Sequence, residues 1–316
     1  MTADRSSPLG PTLGDLVAEA ERRLAEAGVS FGHGTTCARD EAAWLVLWRL
    51  GLPLDLDLSA EGARAVTETE AATVRALIEE RIRTRKPAAY LTGEAWLQGV
   101  PFFVDERVIV PRSLIAEIIA AAPQADAIDP WLGAHTRRAL DLCTGNGSLA
   151  VLAALAWPDV TVDATDISAE ALEVAARNVA RHGLQDRIRL RQADGWCGLE
   201  GRWDLILCNP PYVNRASMAA LPPEYRAEPA LALDGGDDGM DFVRHLLARA
   251  ADHMEEDAVL VLEIGHERAH FEAAFPTLAV EWLHTSAGPD AVLLVTRAAL
   301  QAARADLPPD PKRGAP

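Results

Sequence analysis

The 316-residue chain has four cysteines but no CxxC pair, and only 30 basic residues against 47 acidic ones. It also lacks any apolar run approaching the roughly 20 residues needed to cross a bilayer. Each shortage excludes something. Cys37, Cys143, Cys197 and Cys208 show no metal-like spacing and read as buried, reduced thiols, which suits the cytoplasm. No metal is expected. The first residues (MTADRSSPLGPTLGD) have neither a basic start nor an apolar stretch, so no signal peptide and no membrane partner are expected. A net charge of −17 argues against a wide phosphate-binding surface and so against direct nucleic-acid binding. From Trp203 to Asp290 the imbalance is steepest, with 16 acidic and 5 basic residues, a net of −11. That surface would attract a basic protein and repel a naked nucleic acid, although solubility alone would also explain it.

What is present is ample apolar material, 49% of the chain, enough for one large or two ordinary domains. Residues 1–12 and 304–316 are Pro-rich and polar and are expected to be disordered tails. Residues 13–88 carry helical patterns. LGDLVAEAERRLAEAG ends on Gly28, a C-cap residue, and ARDEAAWLVLWRLGL places Trp44, Leu47 and Trp48 on one face. This segment reads as a small helical domain that selects substrate. Residues 89–112 are rich in aromatic and β-branched residues around the turn Gly99-Val100-Pro101, and read as a β-hairpin linker. From 113 to 303 strand and helix patterns alternate, with strands expected near 138–143, 160–165, 187–191, 203–208, 258–264, 279–284 and 291–296. The fold class implied is α/β, a seven-stranded Rossmann-like domain preceded by a small helical domain.

Asn209-Pro210-Pro211-Tyr212 closes the buried strand WDLILC, at the carboxyl end where open α/β sheets place ligands. The Asn side-chain carbonyl can accept a hydrogen bond from a planar NH2 group. Two prolines stiffen the turn so that the Pro210 carbonyl can point at the same nitrogen. Tyr212 offers an aromatic face to a flat amide or base and to a sulfonium cation. Upstream, Asp141-Leu-Cys-Thr144-Gly145-Asn146-Gly147 follows one strand and opens a helix. A lone GxG is weak evidence. It gains weight from Asp166, nineteen residues on, which ends the next strand and can accept from both ribose hydroxyls. Asp194 ends the third strand and could accept from an adenine amine. The third glycine of a dinucleotide fingerprint is missing, and no hydride-transfer constellation is visible. S-adenosylmethionine therefore suits the tetrapeptide better than NAD does.

With these motifs the chain resembles the HemK-type protein-glutamine N5-methyltransferases. The resemblance spans about residues 30–297. It is carried by Pro87–Gly93 (PAAYLTG), Val110-Pro111-Arg112, Asp141–Gly147, Asp166, Asn209–Tyr212 and Glu228–Asp241. Where the release-factor branch continues its Pro-Arg pair with Pro-Asp/Glu-Thr-Glu, this chain reads Ser113-Leu-Ile-Ala-Glu117. With Phe31-Gly-His-Gly-Thr35 and Asp40-Glu-Ala42, that resembles the branch methylating a glutamine of large-subunit ribosomal protein uL3.

The resemblance implies S-adenosylmethionine held by Asp141, Thr144, Gly145, Asn146, Gly147, Asp166, Ile167, Asp194, Gly195 and Asn209. It implies substrate contacts from Asn209, Pro210, Pro211, Tyr212 and Arg112, with Asn209, Pro210 and Tyr212 catalytic. Two departures stand out: Asn146 replaces a frequent Ser, and Gly195-Trp196 follows Asp194 where an aromatic often follows directly. His33 is expected to be structural or to aid recognition. The run Gly235–Gly239 reads as a tight turn in which Asp237 or Asp238 caps the next helix. The expected rivals are release-factor methylation, methylation of an exocyclic amine of a nucleic-acid base, and a catalytically dead module that binds a ribosomal protein.

Overall fold

The computed structural model describes residues 10–121, 131–133 and 135–308. Of the expected tails, only 10–12 and 304–308 fall among them. The chain divides into two units, one comprising 1–94 with 222–227, the other 95–221 with 228–316.

The first unit is helical. Helices α1 (Leu13–Glu26), α2 (Ala38–Arg49), α3 (Leu58–Glu61), α4 (Glu68–Thr84) and α5 (Ala88–Thr92) follow in order. Capping boxes start the two longest: Thr12 with Asp15 on α1, and Thr67 with Glu70 on α4. Their apolar stripes, with Leu16, Leu24, Leu45, Val46 and Ile78 at their centre, form one core. The two-stranded sheet, β1 (Glu94–Leu97) and β2 (Val100–Phe103), is shorter than the 89–112 span expected. Ala88–Thr92 closes into a helical turn instead, which Gly93 ends at φ +70°.

The second unit is built on a seven-stranded sheet. Its elements are α6 (Ile115–Ala121), β3 (Arg138–Leu142), α7 (Ser148–Ala156), β4 (Thr161–Asp166), α8 (Ala169–Arg181), β5 (Ile188–Gln192) and β6 (Trp203–Cys208). Then come α9 (Arg215–Ala220), α10 (Asp241–Ala250), β7 (Met254–Glu263), α11 (Arg268–Ala274), β8 (Glu281–Thr285), β9 (Gly288–Thr296) and α12 (Arg297–Ala302). Strand order is β5-β4-β3-β6-β7-β9-β8. The first five run parallel, while β9 pairs antiparallel with both neighbours.

Alternation along β6 explains why its second half is apolar on both sides. Leu205 and Leu207 enter the core on one face of the sheet, Ile206 and Cys208 the core on the other, and a register shift between Trp203 and Leu205 accompanies Trp203 joining the latter pair. Strand order reverses between β3 and β6, which opens a crevice at their carboxyl ends. The cysteines are all free. Cys208 is buried and Cys143 half-buried, but Cys37 and Cys197 are exposed, contrary to the expectation of buried thiols. Cys37 stands at the N-cap of α2 and Cys197 in the turn after β5, positions that need no burial.

Candidate active site

A cavity of about 430 Å³ lies at the carboxyl ends of β3, β4, β5 and β6, spanning the β3–β6 reversal. Cys143 and Gly145 line it from the turn after β3, Asp166 from the end of β4 and Ile167 from just beyond it, Asp194 and Gly195 from beyond β5, and Asn209 and Pro211 from beyond β6. Three of the four polar residues expected to close successive strands thus meet at one cavity. The fourth, Asp141, is buried and does not line it. Nor do Thr144, Asn146 and Gly147, which complete the same turn, or Pro210, Tyr212 and Arg112.

The turn after β3 is strained at its first residue. Cys143 adopts φ +59°, a conformation that costs a non-glycine residue of order 1–3 kcal/mol and is held only where the surroundings enforce it. The two glycines have different tasks. Gly145, at φ +54°, has open space where a Cβ would stand, so a ligand can approach its backbone. At Gly147 a Cβ would come within 3.1 Å of the Ala175 side chain on α8, so this glycine serves helix packing.

Asp141 ties the turn together. One carboxylate oxygen accepts from Thr144 Oγ1 at 2.5 Å and from the Ala150 N–H at 3.0 Å. Its other oxygen is buried without a partner, and so is the side-chain nitrogen of Asn146. Burial pushes the Asp141 carboxyl up to about 7, against the hydrogen bonds from Thr144 and Ala150, and the nearby charge of Asp166 adds to the rise. An unpaired buried acceptor and donor each cost about 1–3 kcal/mol. In a turn bordering a cavity they fit a ligand that brings its own ammonium and carboxylate, as the amino-acid end of S-adenosylmethionine does.

Asp166 also fastens the glycine turn. One oxygen accepts from Gly145 N–H and the other from Ser168 N–H, both at 2.9 Å. Burial raises its carboxyl above the usual range, and these N–H groups pull the other way. Each oxygen keeps a lone pair for a further donor.

Around the tetrapeptide, the family-like motifs of the sequence turn out to hold one another. Tyr212 donates to Glu263 Oε1 at 3.1 Å, while the other Glu263 oxygen accepts from Ser113 Oγ at 2.6 Å and Leu114 N–H at 2.9 Å. Arg112 forms a two-pronged pair with Glu228 at 2.6 and 2.7 Å, and Val110 N–H donates to the same carboxylate at 2.8 Å. Gly235, Gly239 and Gly265 leave no room for a Cβ beside Tyr212, and a Cβ on Gly236 would collide with the Asp241 carboxylate, which together explain the glycines of the GGDDG run. The capping expected of that run is absent. Met240 is the N-cap of α10 and no side chain caps it. Asp238 instead accepts from Met240 N–H at 3.0 Å and pairs with Arg244, while Asp237 pairs with Arg215.

Sequence reasoning did not single out two further cavity walls, Glu106–Ile109 and the trio Pro229, Leu231 and Ala232. The second lies inside the Glu228–Asp241 motif, whose residues carry its signal. Trp196, after Asp194, does not line the cavity. It is buried, donates from its indole to Leu246 O at 3.0 Å and stacks on His253 at 4.5 Å.

A sheet of this order, with its cavity across the strand reversal, is the architecture of S-adenosylmethionine-dependent methyltransferases, and S-adenosylmethionine is the methyl donor it implies. The family model described as "Methyltransferase small domain" matches residues 127–221, and that described as "PrmC N-terminal domain" matches residues 15–93. A ribosomal protein uL3 glutamine methyltransferase of Bordetella pertussis is 56% identical over 289 residues, covering 90% of this chain and 95% of its own. Proteins of the same name from Burkholderia pseudomallei and Neisseria meningitidis serogroup B are 49% and 48% identical, each over at least 90% of both chains. The chain belongs to the ribosomal protein uL3 glutamine methyltransferase family.

Proposed function

We propose that the protein transfers a methyl group from S-adenosylmethionine to the side-chain amide nitrogen of a glutamine in large-subunit ribosomal protein uL3, in the cytoplasm. No described helix is long and apolar enough to cross a membrane. The observation that carries the reading is the meeting of Asn209, Asp166 and Asp194 at one cavity, in a chain whose relatives bear that name.

When bound, S-adenosylmethionine supplies an electrophilic methyl group on a sulfonium. Asp166 would accept from the ribose hydroxyls and Asp194 from the adenine amine, with Ile167 and Gly195 beside them. Asp141 and Asn146 would receive the amino-acid end, in the turn that Thr144, Gly145 and Gly147 shape. The acceptor amide is a poor nucleophile because its lone pair is delocalised into its carbonyl. Hydrogen bonds from its two N–H groups to the Asn209 side chain and the Pro210 carbonyl orient it and raise its electron density. Tyr212 and Pro211 pack the flat amide, and Arg112, through Glu228, supports the wall of Pro229 and Leu231. A methylated amide nitrogen is acidic enough to lose its proton without a strong base, so no catalytic His or Glu is assigned.

Neither release-factor nor base methylation is favoured, and the acidic segment 203–290 opposes the second. The test is transfer of labelled methyl from the cofactor to purified uL3. Label on a glutamine side chain is expected, and label on any other residue type contradicts the reading.

A further inference from the structure

The loop that follows the tetrapeptide starts and ends at one point of the sheet unit. Val213 N–H donates to Leu233 O at 2.8 Å and Gly235 N–H to Val213 O at 2.9 Å, closing a parallel bridge directly after Tyr212. The tip of this loop, Pro222–Ala227, belongs to the helical unit. The excursion between the two sides of this bridge carries the short helix α9.

The grip on the tip is specific. Glu224 is 1% exposed, and its carboxylate accepts from Ser30 N–H at 3.1 Å and Arg85 at 3.2 Å and lies 3.5 Å from Arg81. Burial works against that charge, but hydrogen bonds from backbone N–H groups and Arg85, with the charge of Arg81, hold the carboxyl below its usual range. Arg81 is itself wholly buried and donates to Glu41 at 2.8 Å and to the Ser30 carbonyl at 3.1 Å. Thr35 donates to the other Glu41 oxygen at 3.1 Å. The Tyr225 ring lies against His33, centroids 4.2 Å apart, and a Cβ on Gly32 would collide with the Tyr225 hydroxyl. The GHGT turn and the Asp40-Glu41-Ala42 stretch, which the chemistry above leaves without a task, are thus tied to one loop, the first by direct contact with Tyr225 and the second through Glu41 and Arg81 to Glu224.

We infer that Glu224 and Tyr225 are positioning residues for methyl transfer, latched by His33, Gly32 and Arg81. The latch fixes the loop whose base abuts Tyr212 and whose returning limb carries Glu228 and the cavity wall at Pro229 and Leu231. This rests on the reading of the site given above. A misplacement of roughly 1 Å in such an arrangement can cost about a hundredfold in rate. The latch acts on placement of the acceptor, so its loss should lower kcat more than it weakens cofactor binding.

The experiment compares full-length wild type with Glu224→Gln, Tyr225→Ala and Gly32→Ala, and with Tyr225→Phe, which keeps the ring against His33. Readouts are kcat and KM on purified uL3, S-adenosylmethionine affinity by calorimetry, and thermal melting. The first three variants are expected to lose about ten- to a hundredfold in kcat, with cofactor affinity changed at most about threefold and melting still cooperative. Tyr225→Phe should keep most of the rate. Rates within about twofold of wild type in the first three overturn the proposal. So does a matching loss of cofactor affinity or of cooperative melting, which marks plain structural support. A wild-type chain that fails to methylate uL3 instead defeats the reading of the function, and shows it before any variant is compared.

Discussion

Tyr212, in the turn beyond β6, and Glu263, the last residue of the neighbouring parallel strand β7, are joined by a hydrogen bond of 3.1 Å from phenol to carboxylate. Glu263 is buried, which raises its carboxyl above the usual range, although hydrogen bonds from Ser113, Tyr212 and Leu114 N–H pull the other way. The hydroxyl therefore holds the tetrapeptide against β7, and the role proposed for Tyr212 toward the substrate falls to its ring. Tyr212→Phe is expected to cost stability, about 1–3 kcal/mol for a buried acceptor short of a donor, yet keep most of the rate. Tyr212→Ala should lose both. Denaturant unfolding with parallel rate measurements decides it, and equal rates for the two variants would show that the ring plays no part.

Asn209→Ala should leave the fold intact and lower turnover by about a hundred- to a thousandfold, the usual cost of removing one preorganised partner of the reacting group, with cofactor affinity falling much less. A variant that keeps more than about a third of the rate takes Asn209 out of the mechanism.

Asp166→Ala should act on cofactor affinity. A charge-assisted hydrogen bond is worth roughly 1.5–3 kcal/mol, and Asp166 also anchors the Gly145 N–H. Calorimetry with S-adenosylmethionine should show weaker binding, and unchanged affinity would remove Asp166 from the ribose.

Cofactor affinity should also depend on pH. The Asp141 carboxyl, pushed up to about 7, holds a proton below that value and is ionised above it. A ligand ammonium pairs with the ionised form. Affinity should therefore rise with pH up to about 7 and level off beyond, weakening by as much as tenfold for each unit below. Asp166, also raised, contributes in the same direction. Calorimetry across this range should give a shallower slope for Asp141→Asn. A flat wild-type profile would show that Asp141 does not receive the ammonium.

Much of the fold was legible because a parallel sheet buried on both faces writes itself as apolar runs. β3, β4, β5 and β6 begin and end within a residue or two of expectation. β7 begins earlier, at Met254, because Glu255, Glu256 and Asp257 interrupt the apolar pattern without breaking the strand. The site was legible where a strand end places a polar side chain at the cavity, as at Asp166, Asp194 and Asn209. Pairs made across the chain left no trace in local spacing. Arg112 meets Glu228 from 116 positions away, and Ser30 meets Glu224 from 194. Hence Arg112 carries no visible sign of its partner, and Pro222–Ala227 reads as part of the α/β region although it belongs to the helical unit.

The central claim is that the acceptor is a glutamine of uL3, and the acidic segment 203–290 adds that free uL3 is preferred to the assembled subunit. A segment of net −11 should attract a basic free protein and be repelled by surrounding ribosomal RNA, more so at low salt. The direct measurement is methyl transfer from tritiated S-adenosylmethionine to purified uL3, intact large subunits and a release factor, with the modified residue located by peptide mass spectrometry. The account predicts label on one uL3 glutamine, fastest on the free protein. Label on the release factor alone, or on any residue type other than glutamine, contradicts it, and faster labelling of assembled subunits contradicts the charge argument.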